Sequence, residues 1–369
     1  MLSGPDTLSP LTTARAPFST RTWSIKEVRE LTIKKLGKRP CWLQIQSAMT
    51  IYAGKDVVTC APTGFGKTLT FWIPLLMAMD EGHNKLSIVV TPLNLLGRQN
   101  VEVLNKAGLS AVAVDRSSIN GRTIQVSNVP VSSNALTFYF QDIEDGKYRV
   151  VVINPELLMG NSAVGKLWTI KKFRRQILSF IFDEAHCISQ WASFRKQYQH
   201  VGNLRYLISE KIPFYAVSAT LPDAILDEVS NTLRLRHGNT VYLLRSNDRP
   251  DIRLMARRLA YPAKSFKDLD FLIPQTNLKA YVHNNGGQSP IPKFVVFFDN
   301  MKEAESAAKH LRGLLPDILK EKVVWFHSVM TQEFREGNTD AFRDSDIWGL
   351  CATDSFGMVR VRLRNYSMH

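Results

Sequence analysis

From Trp23 onward, short runs of consecutive apolar residues alternate with longer stretches of helical pattern. The runs KDVVTC (55–60), LSIVVT (86–91), RVVVIN (149–154), SFIFDE (179–184) and PFYAVSAT (213–220) are rich in β-branched or aromatic residues. A strand covered on one face alternates apolar with polar positions, whereas runs of this kind predict strands buried on both faces. Leu69–Met79 and Pro222–Leu233 are long enough to be helices between them. Such alternation predicts an α/β fold of parallel sheets flanked by helices. Ligands of these sheets bind at the carboxyl ends of the strands, where Cys60, Thr91, Asn154, Asp183 and Thr220 would lie.

The alternation restarts after RSNDRPDIR (245–253). Strands are predicted over 293–299, 322–328 and 348–354, an amphipathic helix over 301–315, and a surface loop over 283–292. The expected division is therefore a first unit over 23–245 and a partial second unit over 246–369, which the chain end cuts short. Residues 1–22, rich in Ser, Thr and Pro, are expected to be a disordered tail.

Of the 369 residues 44% are apolar and 22% charged, the balance of a soluble globular protein. No apolar run approaches the roughly 20 residues of a membrane helix, so no membrane partner is expected. Lysine and arginine outnumber the acids 47 to 33, and a net charge of +14 suits a polyanion such as nucleic acid. Cys41, Cys60, Cys187 and Cys351 form no C-x-x-C pair, which argues against a disulfide scaffold and against a zinc site.

Chemistry concentrates in two places. CAPTGFGKTLTF (60–71) follows the first predicted strand and opens a helix. Its glycines, Gly64 and Gly66, let backbone N–H groups turn inward around phosphate oxygens, and the helix start adds a favourable dipole. Pro62, Thr63, Phe65 and these glycines would line the phosphates. Lys67 would reach the β- and γ-phosphates, and the Thr68 hydroxyl would sit on Mg²⁺. A glycine-rich turn alone is often an ordinary loop; the Lys-Thr pair between a strand and a helix makes it a P-loop.

IFDEAHCISQW (181–191) is the other place. Two acids at the tip of a buried strand call for a partner, because an unpaired buried carboxylate is costly. Opposite a P-loop that partner is a metal–polyphosphate: Asp183 would hold Mg²⁺, through water, and Glu184 would polarise the attacking water. The implied cofactors are ATP and Mg²⁺.

Together these motifs resemble superfamily 2 helicases and, within them, the RecQ family, over residues 36 to 358. APTGFGKT looks like motif I, TPLNLLGRQ (91–99) like motif Ia, and NPE (154–156) takes the place of the later DNA-backbone motif. DEAH (183–186) is similar to motif II, SAT (218–220) to motif III and ATDSFGM (352–358) to motif V. AHCISQW…FR (185–195) is similar to the aromatic-rich loop of RecQ enzymes, NDRPDIR (247–253) to their interdomain stretch, and KRPCWLQ (38–44) to their adenine-reading motif.

The resemblance implies tandem RecA-like P-loop domains, the second incomplete, with ATP bound between them. It also implies 3′→5′ movement on single-stranded or forked DNA, a role in DNA repair or recombination, and residence in the nucleus. Gln44 would read adenine, although a surface glutamine remains open for this residue. Thr91, Pro92 and Asn154 would contact DNA, as would Trp191, Phe194 and Arg195. Gln190, Ser218, Thr220 and Asp354 would couple DNA to hydrolysis, and His186 would join the catalytic acids.

Two departures stand out. The loop QWASFRKQY is one residue shorter than the family form between Trp and Phe and lacks its Pro-Glu after Arg. The final VRVRLRNYSMH (359–369) matches nothing of motif VI, whose arginine acts on the γ-phosphate, so weak hydrolysis and unwinding are expected unless Arg360, Arg362 or Arg364 substitutes. The competing readings are an inactive nucleotide- and nucleic-acid-binding module and an RNA helicase of the DEAD-box group. His186 and CISQW stand against the latter.

Overall fold

The computed structural model describes residues 10–92, 101, 104–105, 107–114, 141–275, 278, 281 and 289–357. The chain divides into two compact units, Met1–Ile252 and Arg253–His369.

The first unit is built on an all-parallel sheet of seven strands: β3 (Asp56–Cys60), β4 (Leu86–Val90), β5 (Ala111–Val114), β6 (Val150–Ile153), β7 (Ile177–Asp183), β8 (Phe214–Ser218) and β9 (Thr240–Leu244). A separate short antiparallel pair, β1 (Thr13–Ala14) with β2 (Trp23–Ser24), precedes it. The large sheet runs in the order β5-β6-β4-β7-β8-β3-β9. The five predicted strands form its centre and are buried along their whole length. Ile181, Tyr215 and Val217 join the core formed with α1 (Ile25–Leu36), α2 (Trp42–Tyr52) and α3 (Leu69–Asp80). Alternation carries Phe180, Phe182 and Phe214 to the opposite face, where Phe180 lies 5.9 Å from Trp168 and 5.4 Å from Phe214 between ring centroids. The α/β arrangement with a parallel sheet flanked by helices is thus present. The strands at the two ends of the sheet, β5 and β9, were not in the sequence-based expectation. Both are as long as their central neighbours and largely apolar, but as sheet ends they are buried at only some of their positions.

Expected disorder over 1–22 does not hold for residues 10–22. The Trp23 indole is buried with Ala14 and Ala16. Leu11 N donates to Gln46 Oε1 (2.8 Å), and Gln46 Nε2 returns a bond to Leu11 O (2.7 Å). The Glu81 carboxylate accepts hydrogen bonds from Ser19 Oγ, Trp23 Nε1 and Tyr52 OH. One carboxylate at the carboxyl end of α3 therefore fastens the segment, a long-range partner that local composition does not reveal. Ser24 then starts α1 with a capping box shared with Glu27.

Asp56 opens β3 fully buried. Its carboxylate accepts from Arg236 Nε (2.9 Å) and Nη2 (2.7 Å), Arg205 Nη2 (2.7 Å) and the Phe214 N–H (2.8 Å). Burial pushes its pKa up, but the two guanidiniums and the amide together outweigh burial and hold it below the usual carboxylate range. The cluster pins the amino ends of β3 and β8 and the turn before β9.

The second unit carries β10 (Phe294–Phe297), β11 (Val323–Phe326) and β12 (Gly349–Ala352), parallel in the order β10-β12-β11. Helix Met301–Gly313 presents Ala304, Ala307, Ala308 and Leu311 to a core containing Val323, Trp348 and Cys351. Gly349 is required where it stands, because a Cβ there would fall 2.1 Å from the Phe294 ring on the neighbouring strand. Much of the loop expected over 283–292 and the tail 358–369 lie outside the described residues. Among the described residues no helix is long and apolar enough to cross a membrane.

Asp56→Asn leaves two largely buried guanidiniums without a counter-charge and should lower stability by about 3 kcal/mol. Urea unfolding at pH 7 should show this as a shifted midpoint. Because the folded pKa is depressed, the wild-type contribution is complete above the unfolded value of about 3.9 and disappears as pH falls through the lower folded value. The difference between wild type and variant should shrink accordingly in acid.

Candidate functional site

Parallel pairing sets the geometry of the carboxyl edge of the first sheet. Cys60 at the end of β3 stands beside Ser218 of β8, and Asp183 at the end of β7 stands beside Val217. With strands spaced about 4.8 Å, the glycine turn and the acid pair begin about 10 Å apart, with the Ser218–Thr220 turn between them.

The turn after β3 runs through Ala61–Thr68 into α3. Gly64 (φ 86°) and Gly66 (φ 78°) occupy the left-handed region that glycine tolerates. Lys67 Nζ folds back to donate to Ala61 O (2.9 Å) and Pro62 O (3.3 Å). Gln44, buried in the first turn of α2, braces the same loop: Nε2 donates to Phe65 O (3.0 Å) and Gly66 O (3.1 Å), while Oε1 accepts from Cys41 N (2.8 Å). A Cβ on Gly66 would lie 2.9 Å from Gln44 Nε2, the mobile end of a side chain, so it is the positive φ that calls for glycine here. Thr63 is exposed and Thr68 is partly exposed just before α3.

At the end of β7, Asp183 is buried, and Glu184 takes φ 50°. A left-handed glutamate is strained by about 1–2 kcal/mol. Its N–H donates to Asp183 Oδ1 (3.1 Å), and its carboxylate lies 3.5 Å from His186 Nδ1. His186 Nδ1 is 2.7 Å from Ser218 Oγ. The Ser218 hydroxyl donates to Thr220 O (3.0 Å) and accepts from Thr220 N (3.2 Å), so Nδ1 carries the imidazole proton and Ser218 accepts it. Burial lowers the His186 pKa and Lys67 adds to that, against the opposing charge of Asp183. The imidazole is accordingly neutral at pH 7. Because Lys67 and Asp183 both act on this one ring, the ends of the two motifs share a local field.

Thr68 and Asp183 supply hard oxygen donors that fit Mg²⁺, an ion that keeps several waters and binds through one or two protein oxygens together with phosphates. Among the described residues no cluster of three His, Cys, Asp or Glu could hold a metal by itself.

Farther along the edge, Trp191 and Phe194 stack obliquely with ring centroids 5.6 Å apart, and Phe194 is 68% exposed. Arg195 points inward rather than out: Nε and Nη2 grip both oxygens of Glu156 (2.6 and 2.7 Å), and Nη1 donates to Pro92 O (2.7 Å). Burial lowers its pKa, but the Glu156 fork and neighbouring charges raise it further and keep the guanidinium charged. The sequence places Glu156 only within NPE (154–156) and gives it no partner, because nothing local links a helix-start acid to an arginine 39 residues later. Asn154 caps the helix Pro155–Gly160, its Oδ1 accepting from Leu157 N (2.9 Å). Thr91 is buried at the end of β4, its Oγ1 without a hydrogen-bond partner among the described residues. Gln190 is exposed, and Asp354 opens a helical turn in the second unit. Most of TPLNLLGRQ (93–99) and Arg360, Arg362 and Arg364 lie outside the described residues.

A family model described as DEAD/DEAH box helicase matches residues 42–229, from the helix bearing Gln44 past Ser218 and Thr220. The chain is 24% identical over 319 residues to the ATP-dependent DNA helicase hus2/rqh1 of Schizosaccharomyces pombe, covering 85% of this chain and 21% of that protein. It is 25% identical over 307 residues to the ATP-dependent DNA helicase RecQ of Bacillus subtilis, covering 83% and 44%. The chain thus spans between a fifth and a half of the length of these curated relatives. Among solved structures, the DUF1998 helicase MrfA bound to DNA and AMPPNP superposes with a TM-score of 0.60 at 16% identity, over 96% of this chain and 46% of that one, a likeness of fold. A glycine turn and a DEAH strand meeting at one sheet edge are what this matched region encodes, and the chain belongs to the DEAD/DEAH box helicases as a RecQ-like member.

Proposed function

We propose that this chain is the core of an ATP-dependent 3′→5′ DNA helicase that binds ATP–Mg²⁺ and single-stranded DNA. The observation that carries the proposal is the placement of Lys67, Asp183, Glu184 and His186 around the Ser218–Thr220 turn, set by the β3-β8-β7 register. Lys67 would leave the Ala61 and Pro62 carbonyls for the β- and γ-phosphates, an exchange of partners that keeps its charge satisfied. Thr68 and Asp183 would hold the Mg²⁺ that neutralises phosphate charge in the transfer. Glu184 would orient and polarise the attacking water.

The Glu184–His186–Ser218–Thr220 chain supplies a path between the acids and the turn that follows β8. Movement of that turn on binding a strand would reach Glu184 through one imidazole. Trp191 and Phe194 offer stacking faces to bases without selecting among them. Gln44 would read the adenine edge once released from the loop. A place in DNA repair or recombination, and in the nucleus, rests on the RecQ likeness.

Glu184→Gln should keep ATP binding and reduce DNA-stimulated hydrolysis by roughly 10²–10⁴-fold, as steady-state phosphate release would report. Lys67→Ala should lose binding of a fluorescent ATP analogue. Gln44→Ala should narrow the preference for ATP over GTP by about 10-fold, the equivalent of one or two hydrogen bonds. The decisive assay is strand separation of a forked DNA duplex with ATP. Separation supports the reading, while binding of ATP and DNA without separation would assign a binding module instead. Separation of RNA but not DNA would assign an RNA helicase.

A further inference from the structure

We propose that Glu156 is a positioning residue for nucleic-acid engagement: by gripping Arg195 it holds the Trp191–Phe194 pair in the orientation that receives a single strand. This rests on the function proposed above and adds a residue to which that function assigns no role.

Three segments meet at Arg195. Pro92 follows β4, Glu156 lies in the first turn after β6, and Arg195 ends the loop after β7; β6, β4 and β7 are consecutive in the sheet. One guanidinium joins all three, with Nε and Nη2 on the two Glu156 oxygens and Nη1 on Pro92 O. A planar fork on a carboxylate fixes orientation as well as distance, which a single contact does not.

The orientation is passed to the aromatic rings through a short turn. Arg195 N donates to Trp191 O (2.8 Å) and Phe194 N to the same oxygen (3.2 Å). The guanidinium carbon sits 5.3 Å from the Trp191 ring centroid and 5.5 Å from that of Tyr198, which is buried. The fork thus stands between a core tyrosine and a ring pair of which Trp191 is half-buried and Phe194 exposed. The side chains of Arg195 and Glu156 are 19% and 21% exposed, so water competes little for either. What the pair holds is surface, not core: Phe194 contributes little to packing at 68% exposure. An ion pair serving only stability has no need to end beside an exposed phenylalanine at the carboxyl edge of the sheet.

Glu156→Gln keeps the shape but turns an amide N–H₂ toward the guanidinium. Arg195→Lys keeps the charge but loses the fork. With the full chain, binding of fluorescein-labelled oligo(dT) is followed by anisotropy, and its stimulation of ATP hydrolysis by phosphate release. For E156Q the oligonucleotide concentration giving half-maximal binding and stimulation should rise on the order of 10-fold. Turnover without oligonucleotide should stay at the wild-type value, while the thermal midpoint should fall by a few degrees, because Arg195 loses its counter-charge where its side chain is only 19% exposed. Glu156→Asp, which keeps the charge on a shorter arm, should recover part of the loss. The double variant E156Q/R195K should fall no further than the worse single variant, because both break one contact. Wild-type half-saturation in E156Q overturns the proposal, and so does tighter binding, which would mean that Glu156 merely withholds Arg195 from a phosphate. Losses that multiply in the double variant overturn it as well. Failure of wild type itself to bind oligo(dT) removes the functional reading and this proposal together, whereas wild-type binding with an indifferent E156Q removes this proposal alone.

Discussion

Everything at the carboxyl edge of the first sheet depends on the pairing of β8 with β3 on one side and β7 on the other. The pairs Cys60–Ser218 and Asp183–Val217 put the end of each chemical motif within one strand of Ser218. In a parallel sheet all carboxyl ends lie at one edge, so loops far apart in sequence become neighbours without further design. A slip of one residue in either pairing would send alternate side chains to the wrong face and displace the loops. The Asp56 cluster opposes such a slip at the other edge, because it ties the start of β3 to Phe214 N, at the start of β8, and to Arg236 ahead of β9.

On that frame the site is held by polar contacts that are specific and individually small. Gln44 and Lys67 satisfy carbonyls of the glycine turn, giving an otherwise open loop a defined shape. The strained φ of Glu184 brings its carboxylate toward His186, whose neutral ring links it to Ser218. Burial favours that neutrality and, with the field of Lys67, outweighs the opposing charge of Asp183.

Arg195 illustrates how a side chain suited to phosphate can be engaged elsewhere. Its charge and fork geometry would serve a nucleic-acid backbone equally well, yet three of its donors are directed to Glu156 and Pro92. The exposed group in that neighbourhood is Phe194, not the guanidinium. Interlocking of three loop segments in this way gives the carboxyl edge a rigidity that the loops would lack singly.

Much of the fold was legible from the chain alone. The central strands and both chemical motifs are written locally, because burial on two faces demands consecutive apolar residues and a phosphate turn demands glycines beside lysine and threonine. End strands such as Ala111–Val114, by contrast, are short apolar stretches whose place at a sheet end only the fold reveals, and the anchoring of residues 10–22 depends on Glu81 at the end of α3. Roles for Glu156 and Asp56 were likewise invisible, since a carboxylate declares its partner only when distant segments are brought together. The sequence by itself determined which elements form and which chemistry they bear, through periodicity and short-range spacing. Only the tertiary structure decided which charges meet, because hydrogen bonds and ion pairs act over a few ångströms in space, whatever the separation along the chain.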